Sequence, residues 1–155
     1  MPRTPVVLLA HVPHRSAAAA FEAAVRQAAF RRARLVIINA TKGESLDDPQ
    51  FAPYDQLRDL VERAREAGVA AEAEQPVGPE IETMILNRAR TLPVEIIVLG
   101  TRRRSTVGKL FLGSTAQRVL MEAECEVLLV KGRSKGKSSR PTSSIRAGTA
   151  SRGTL

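Results

Sequence analysis

The sequence predicts a doubly wound α/β domain built on a five-stranded parallel sheet. Five short apolar runs alternate with four helix-like segments in the order βαβαβαβαβ. Four of the five runs are almost continuously apolar, which is typical of parallel strands covered by helices on both faces. Strands and helices that alternate in this way are joined by right-handed crossovers. The 155 residues are enough for one such domain with a substantial core.

The predicted strands occupy residues 6–10, 35–40, 69–75, 95–100 and 127–131. The third strand reads VAAEAEQ and alternates small apolar with acidic residues. Alternation indicates a strand that is covered on one face only or lies at an edge. We therefore expect the third strand at an edge of the sheet.

The predicted helices occupy residues 16–31, 54–67, 79–90 and 113–123. Ser16 is the expected N-cap of the first helix, and Ser114 or Thr115 that of the fourth. Gly68 is placed to end the second helix, and Pro79 to begin the third in its first turn. The apolar stripes expected to face the sheet are Ala20/Phe21/Ala24/Val25/Ala28, Leu57/Leu60/Val61/Ala64, Ile81/Met84/Ile85 and Ala116/Val119/Leu120.

The composition excludes several classes of function. Aromatic residues make up 3% of the chain and there is no Trp, so a stacking platform for nucleic acid or a flavin is not expected. The single cysteine, Cys125, excludes an internal disulfide and is expected to be a small half-buried side chain. The longest apolar runs fall well short of the roughly 20 residues that span a bilayer. Because the N-terminus is also a poor signal peptide, we expect a cytoplasmic protein without membrane insertion.

The charge divides the chain into a domain, residues 1–131, and a tail, residues 132–155. The net charge is +8, but the tail holds six of the 24 basic residues and none of the 16 acidic ones. The tail is rich in Ser, Thr, Gly and Arg, a composition that is expected to be disordered. Any attraction of this tail to nucleic acid would be weak and salt-sensitive, so a solubilising role is the favoured interpretation.

The segment VLGTRRRSTVGKLFLGSTAQR, residues 98–118, is the candidate binding site. It joins the carboxyl end of the predicted fourth strand to the start of the fourth helix. Ligands of open α/β sheets bind at such strand ends, and a helix N-terminus attracts anions. The residues alone leave two interpretations open, an anion site and a plain connection. The segment is not a Walker A loop, because Leu110 follows Gly108 and Lys109 where that loop has Ser or Thr.

The chain resembles the universal stress protein family over residues 5–131. The stretch GTRRRSTVGKLFLGS follows the family's loop pattern G-x2-G-x9-G-S/T without a gap, and PVEIIVLGT and AECEVLLVK resemble its fourth and fifth strands. The resemblance implies ATP or another adenine nucleotide, with Mg²⁺, as the ligand. The site residues that it implies, together with the hydroxyl and arginine side chains beside them, are Ala10, His11, Ala40, Gly100, Arg102, Arg103, Gly113, Ser114 and Thr115.

Two departures from the family pattern indicate a degenerate nucleotide site, with binding weakened, altered or lost. Arg103 stands at the middle glycine, where glycine would let a phosphate approach the backbone. Arg102 and Arg103 either bind the phosphate with their guanidinium groups, fill its place, or are solvated loop charges without a ligand. His11 stands where the ATP-binding subgroup has Asp for the adenine, whereas Ala40 still offers its backbone to the base.

The resulting functional hypothesis is a non-catalytic stress-response protein. His11 and His14 lack an obvious carboxylate partner nearby in sequence, and no convincing catalytic set is found. The resemblance implies a homodimer, and the apolar strand segment 127–130 is an edge that favours pairing. The alternative is a module that binds an unknown protein partner through its dimer surface and basic tail, without nucleotide.

Overall fold

The computed structural model describes residues 2–43, 48–101 and 112–132. The elements are, in chain order, β1 (Val6–Ala10), α1 (Ala17–Arg31), β2 (Arg34–Ile38), α2 (Tyr54–Glu66), β3 (Ala71–Glu74), α3 (Ile81–Thr91), β4 (Val94–Thr101), α4 (Ser114–Glu122) and β5 (Glu126–Lys131). Arg102, Arg103 and the tail from residue 133 onward lie outside the described residues.

The five strands form one parallel sheet in the order β3-β2-β1-β4-β5. This confirms the predicted fold class, and β3 lies at an edge as its alternating sequence indicated. The chain builds outward from β1 to β3 and then returns to place β4 on the other side of β1. The strand order therefore reverses between β1 and β4, where a cleft forms at the carboxyl ends of the strands.

Two apolar layers cover the sheet, and alternate residues of each central strand face opposite layers. Val7 and Leu9 of β1 pack in the layer that contains the buried faces of α1 and α2. Val6 and Leu8 pack in the layer that contains α3 and α4. All four side chains are fully buried, and each contributes about 1.5–3 kcal/mol to folding through apolar burial. Burial on both faces explains why the central strands read as continuous apolar runs.

Several details of the predicted elements were wrong. β2 ends at Ile38 rather than at residue 40, because the side chain of Asn39 takes over the hydrogen bonding at the end of the strand. α3 begins at Ile81 rather than Pro79, because Glu80 has the extended backbone of an N-cap. Leu120 is 43% exposed although it was expected in the core, and Leu86 of α3, which was not predicted, is buried.

Candidate functional site

A cavity of about 120 Å³ lies at the point where the strand order reverses. Its walls come from the ends of β1, β2 and β4 and from the starts of α1, α3 and α4. Seven of the nine predicted site residues line it: Ala10, His11, Ala40, Gly100, Gly113, Ser114 and Thr115. The other two, Arg102 and Arg103, lie outside the described residues. The fold therefore brings together side chains that are up to 105 positions apart in the chain, Ala10 and Thr115 among them.

His11 follows the last residue of β1, and both of its backbone polar groups are held. Its N–H donates to the carbonyl of Ile38 at 2.9 Å, and its carbonyl accepts from Asn39 Nδ2 at 2.8 Å. The two bonds fix the backbone, and the residue forms part of the cavity wall. The residue is only 4% exposed. A rigid backbone and a buried ring make His11 the best positioned polar side chain of the site.

Both ring nitrogens of His11 lack a hydrogen-bond partner within residues 2–43, 48–101 and 112–132. Burial lowers the pKa of the imidazole below its ordinary value of 6.5. The Gln56 side chain opposes this shift in the pKa, although the pair lacks the geometry of a full hydrogen bond. The ring is therefore neutral at neutral pH, with one donor and one acceptor nitrogen. A buried polar group without a partner costs about 1–3 kcal/mol, which a ligand in the cavity would recover.

Asn39 is the residue that the sequence-based reasoning missed. It is fully buried, and its amide donates to the carbonyls of His11 and Gln50, both at 2.8 Å. Its Oδ1 accepts from the Ala52 N–H at 3.0 Å and from Gln75 Nε2 at 2.9 Å. All of its hydrogen-bonding capacity is thus used to join β1 to the chain that follows β2 and β3. The signal in the sequence was a polar residue directly after the buried run LVII.

The start of α4 forms the wall opposite β1. Gly113 is its extended N-cap, and the helix begins at Ser114. The first N–H groups of a helix have no partner within the helix, and they carry its partial positive charge toward the cavity. The Thr115 hydroxyl, however, donates to the carboxylate of Glu82 on α3 at 2.9 Å. Thr115 thus anchors α4 to α3, and Ser114 is the better placed of the two hydroxyls for a ligand.

The two glycines of the loop pattern have different structural roles. A Cβ at Gly100 would clash with the hydroxyl of Ser16, whereas a Cβ at Gly113 would meet no atom of a described residue within 4 Å. Ser16 was expected to cap α1, but its side chain makes no capping bond and packs beside Gly100 instead. Packing between α1 and β4 is therefore sufficient to explain Gly100. The open space around Gly113 leaves room for a ligand to approach the backbone.

The described part of the cavity wall carries no charged side chain. Its polar side chains belong to His11, His14, Ser16, Gln50, Ser114 and Thr115. Among the described residues, no group of three or more His, Cys, Asp or Glu side chains is arranged to hold a metal ion. In the same ranges, no helix is both long and apolar enough to cross a membrane. The cavity thus suits a ligand that is held by hydrogen bonds and helix N–H groups.

Fold and cavity together define a doubly wound α/β protein with a cavity at its strand-order reversal, which is where ligands of open α/β sheets bind. The chain matches the family model described as the universal stress protein family over residues 6–131, and it belongs to that family. The universal stress protein of Mycolicibacterium smegmatis is 39% identical over 113 residues, which cover 73% of this chain and 87% of that protein. A universal stress protein of Thermus aquaticus is 34% identical over 137 residues, which cover 81% of this chain and 97% of that protein.

Solved structures agree with this assignment. A universal stress protein from Archaeoglobus fulgidus superposes with a TM-score of 0.71 at 26% identity, covering 84% of this chain and all of that one. Another universal stress protein, solved in complex with cAMP, superposes with a TM-score of 0.65 at 26% identity, covering 86% of this chain and all of that one. The fold is therefore shared with a protein that binds an adenine nucleotide.

Proposed function

We propose that this chain is a non-catalytic, cytoplasmic stress-response protein that binds an adenine nucleotide weakly in the cavity between β1 and α4. The observation that carries the proposal is the buried imidazole of His11, a residue of the cavity wall, with both ring nitrogens unpartnered among the described residues. An apolar pocket with a few convergent polar groups is the usual form of a small-molecule site. The cAMP complex of a related protein gives the chemical class of the ligand.

The base belongs at the end of the cavity formed by His11 and Ala40. Ala40 is 5% exposed, and neither its N–H nor its carbonyl forms a backbone hydrogen bond with the described residues. A purine edge that pairs with this backbone and with the imidazole would give partners to the ring nitrogens, which are buried without one among the described residues. The contact between the base and the backbone needs no particular side chain at position 40, so an alanine there is compatible with binding.

The phosphate belongs at the start of α4. The N–H groups of the first turn and the Ser114 hydroxyl are donors, and the open space at Gly113 admits an anion close to them. No carboxylate lines the described wall, so a Mg²⁺ ion would be held by the phosphates rather than by the protein. Arg102 and Arg103 follow β4 in sequence and either assist the phosphate or compete for its place.

Calorimetric titration of the full chain with AMP, and with ATP and Mg²⁺, tests the proposal. We expect a Kd below about 1 mM for the natural chain. The substitution His11→Phe keeps a planar aromatic ring, somewhat larger than imidazole, but removes both nitrogens, and we expect it to weaken AMP binding at least fivefold. Thr41→Val is the matched control, because this buried hydroxyl is also unpartnered among the described residues but lies outside the cavity wall. Absence of binding to both nucleotides would overturn the proposal.

The variant Arg103→Gly separates the two roles of the arginines. If the guanidinium group serves the phosphate, ATP binding weakens in the variant. If the side chain blocks the site, ATP binds more tightly to the variant, because glycine restores the family's loop pattern. An unchanged Kd would remove Arg103 from the site.

We also propose that the protein is a homodimer paired along β5. β5 is the edge strand with the sequence EVLLVK, and its unpaired backbone groups offer a second copy a strand to extend. The other edge, β3, reads AEAE and would place acidic residues close together in a self-paired sheet. Charge thus favours β5 over β3.

The second candidate function is a partner-binding module without nucleotide. Leu120 and Met121 support it, because they lie on α4 and are 43% and 82% exposed. This candidate uses the α4 and β5 surface together with the basic tail to bind another protein. Failure of both titrations described above would make it the leading function.

A further inference from the structure

The polar side chains that line the cavity share one chemical property. The six named above are histidines, serines, a threonine and a glutamine, and each of these types can both donate and accept a hydrogen bond. A carboxylate, which only accepts, does not occur among the described lining residues. A cation, which only donates, does not occur there either. The described side chains of the wall therefore do not dictate the hydrogen-bonding polarity of the ligand.

His11 is the lining residue whose ability both to donate and to accept a hydrogen bond matters most for the choice of ligand. Its backbone is held at both polar groups, and the residue is 4% exposed, so the fold fixes its place in the cavity wall. Because burial lowers the pKa of the ring, the imidazole is neutral and has two tautomers that exchange donor and acceptor nitrogens. No bond from a described residue to either nitrogen selects one tautomer. Its neighbour Gln56 carries an amide with both a donor and an acceptor, so it can complement either form.

Purine bases differ in polarity at the same ring positions. Adenine has an amino donor at C6, whereas guanine and hypoxanthine have a carbonyl acceptor there. At N1, adenine accepts and hypoxanthine donates. A fixed acceptor in the protein therefore distinguishes the two classes, and a group that changes polarity does not.

We propose that this site accepts 6-oxopurine and 6-aminopurine nucleotides alike, because His11 changes tautomer to match the base. This inference rests on the proposed nucleotide-binding function and specifies its range of ligands. It makes His11 the determinant of base selectivity. An aspartate at the same position would restrict the site to the amino class.

The first measurement is calorimetric titration of the full chain with AMP and with IMP, which have the same ribose phosphate and differ only in the base. At pH 8, where His11 is neutral, we expect the two Kd values to agree within tenfold. His11→Asp introduces an acceptor and should favour AMP over IMP by more than tenfold. His11→Asn is the matched control, since its amide has the same shape as the carboxylate but both polarities. This variant should keep the two Kd values within tenfold.

Each outcome has a distinct meaning. If neither nucleotide binds, the proposed function fails and this inference fails with it. If AMP binds more than tenfold tighter than IMP in the natural chain, the proposed function stands and this inference is overturned. Equal ratios in the Asp and Asn variants would also overturn it, because His11 would not be the discriminating group.

A third ligand keeps the test decisive if the Asp variant does not fold by circular dichroism. Purine riboside monophosphate lacks any substituent at C6. We expect both AMP and IMP to bind the natural chain more tightly than this ligand. If AMP alone binds more tightly than purine riboside monophosphate, the protein presents only a hydrogen-bond acceptor to C6 of the base. That result would overturn the inference.

Discussion

Gly100 and Ser16 show how one missing side chain determines the fit of α1 on the sheet. Ser16 occupies the space where a Cβ of residue 100 would stand, and it also lies 3.2 Å from the position of a Cβ at Gly132. The start of α1 is therefore in close contact with the chain at the ends of both β4 and β5. The two glycines are positions where packing, rather than a turn, requires the absence of a side chain.

We expect Gly100→Ala to lower the free energy of unfolding by about 1–3 kcal/mol, because the added methyl overpacks the contact with Ser16. Urea denaturation measures this change. Gly113→Ala is the matched control and should change stability by less than about 1 kcal/mol, because the space around it is open. The double variant with Ser16→Ala should recover part of the loss. Equal effects at positions 100 and 113 would contradict this account.

The second residue-scale prediction concerns the pH dependence of stability at His11. The pKa of the buried ring is lowered from 6.5, so the unfolded chain binds more protons than the folded one between the two pKa values. The free energy of unfolding should therefore fall as the pH drops through 6.5, and level off below the folded pKa. Above 6.5, His11 should add no pH dependence.

Urea unfolding of the natural chain and of His11→Asn between pH 5 and 8 isolates this effect. The difference between the two stability curves should be constant above about pH 6.5 and change in favour of the variant below it. Parallel curves across the whole range would show that the ring titrates normally. Other groups cancel in the comparison, because both chains contain them.

At the scale of elements, Asn39 holds three segments that the sheet alone would leave apart. It joins the end of β1 through His11, the chain before α2 through Gln50 and Ala52, and the end of β3 through Gln75. Gln75 Nε2 also donates to the carbonyl of Ala52 at 2.9 Å. The wall of the cavity on the β2 side depends on this network.

We expect Asn39→Leu to destabilise the protein by about 2–4 kcal/mol, because it keeps the branched shape of the side chain but leaves several buried polar groups unpaired. Chemical denaturation gives the magnitude. Hydrogen exchange at the Ala52 amide should accelerate more than exchange in β1, since that N–H donates to Asn39 Oδ1. Asn87→Leu on the exposed side of α3 is the control, with an expected change below about 0.5 kcal/mol. An Ala52 amide that stays protected would exclude the proposed role.

At the scale of the whole molecule, the two edges of the sheet differ in how well they suit pairing with a second copy of the chain. In an antiparallel pair centred on β5, Glu126 of one copy would lie opposite Lys131 of the other, and the two-fold symmetry would repeat the contact. Both residues are exposed. Opposite charges across strands contribute roughly 0.2–1 kcal/mol per pair.

We expect light scattering to give twice the 16.8 kDa mass of the chain. Lys131→Glu places like charges opposite each other and should raise the dimer dissociation constant at least twofold. It is preferable to changing Val127 or Leu129, because these side chains pack against the core. Ala73→Glu on β3 is the control and should leave the mass unchanged. A monomeric mass for the natural chain would overturn the β5 interface.

The tail gives a second prediction at this scale. The family match ends at residue 131, and β5 ends at the same residue. We propose that residues 133–155 are not needed for folding. A chain that ends at Gly132 should therefore melt within about 2 °C of the full chain in calorimetry. A larger loss would place part of the tail on the domain.

The sequence pattern alone was sufficient for the fold class, for the family and for most of the core. Apolar runs identify the strands because a parallel sheet must be covered on both faces, and all four predicted residues of the α2 stripe are buried. The pattern failed at Leu120 because the orientation of a short helix depends on its neighbours. The roles of Arg102 and Arg103 remain predictions.

The residue types along the chain thus determined which strands and helices form, because hydrophobic periodicity and turn chemistry act over a few residues. They also identified the segment after β4 as the candidate binding loop. Only the tertiary structure showed that the ring nitrogens of His11 are buried in the cavity wall without a partner among the described residues. It also revealed the four side-chain hydrogen bonds of Asn39 and the contact with Ser16 that leaves no room for a side chain at Gly100. Those facts depend on contacts between segments far apart in the chain. Whether a polar group is satisfied is a property of the packed molecule, and so is the chemistry that it can offer to a ligand.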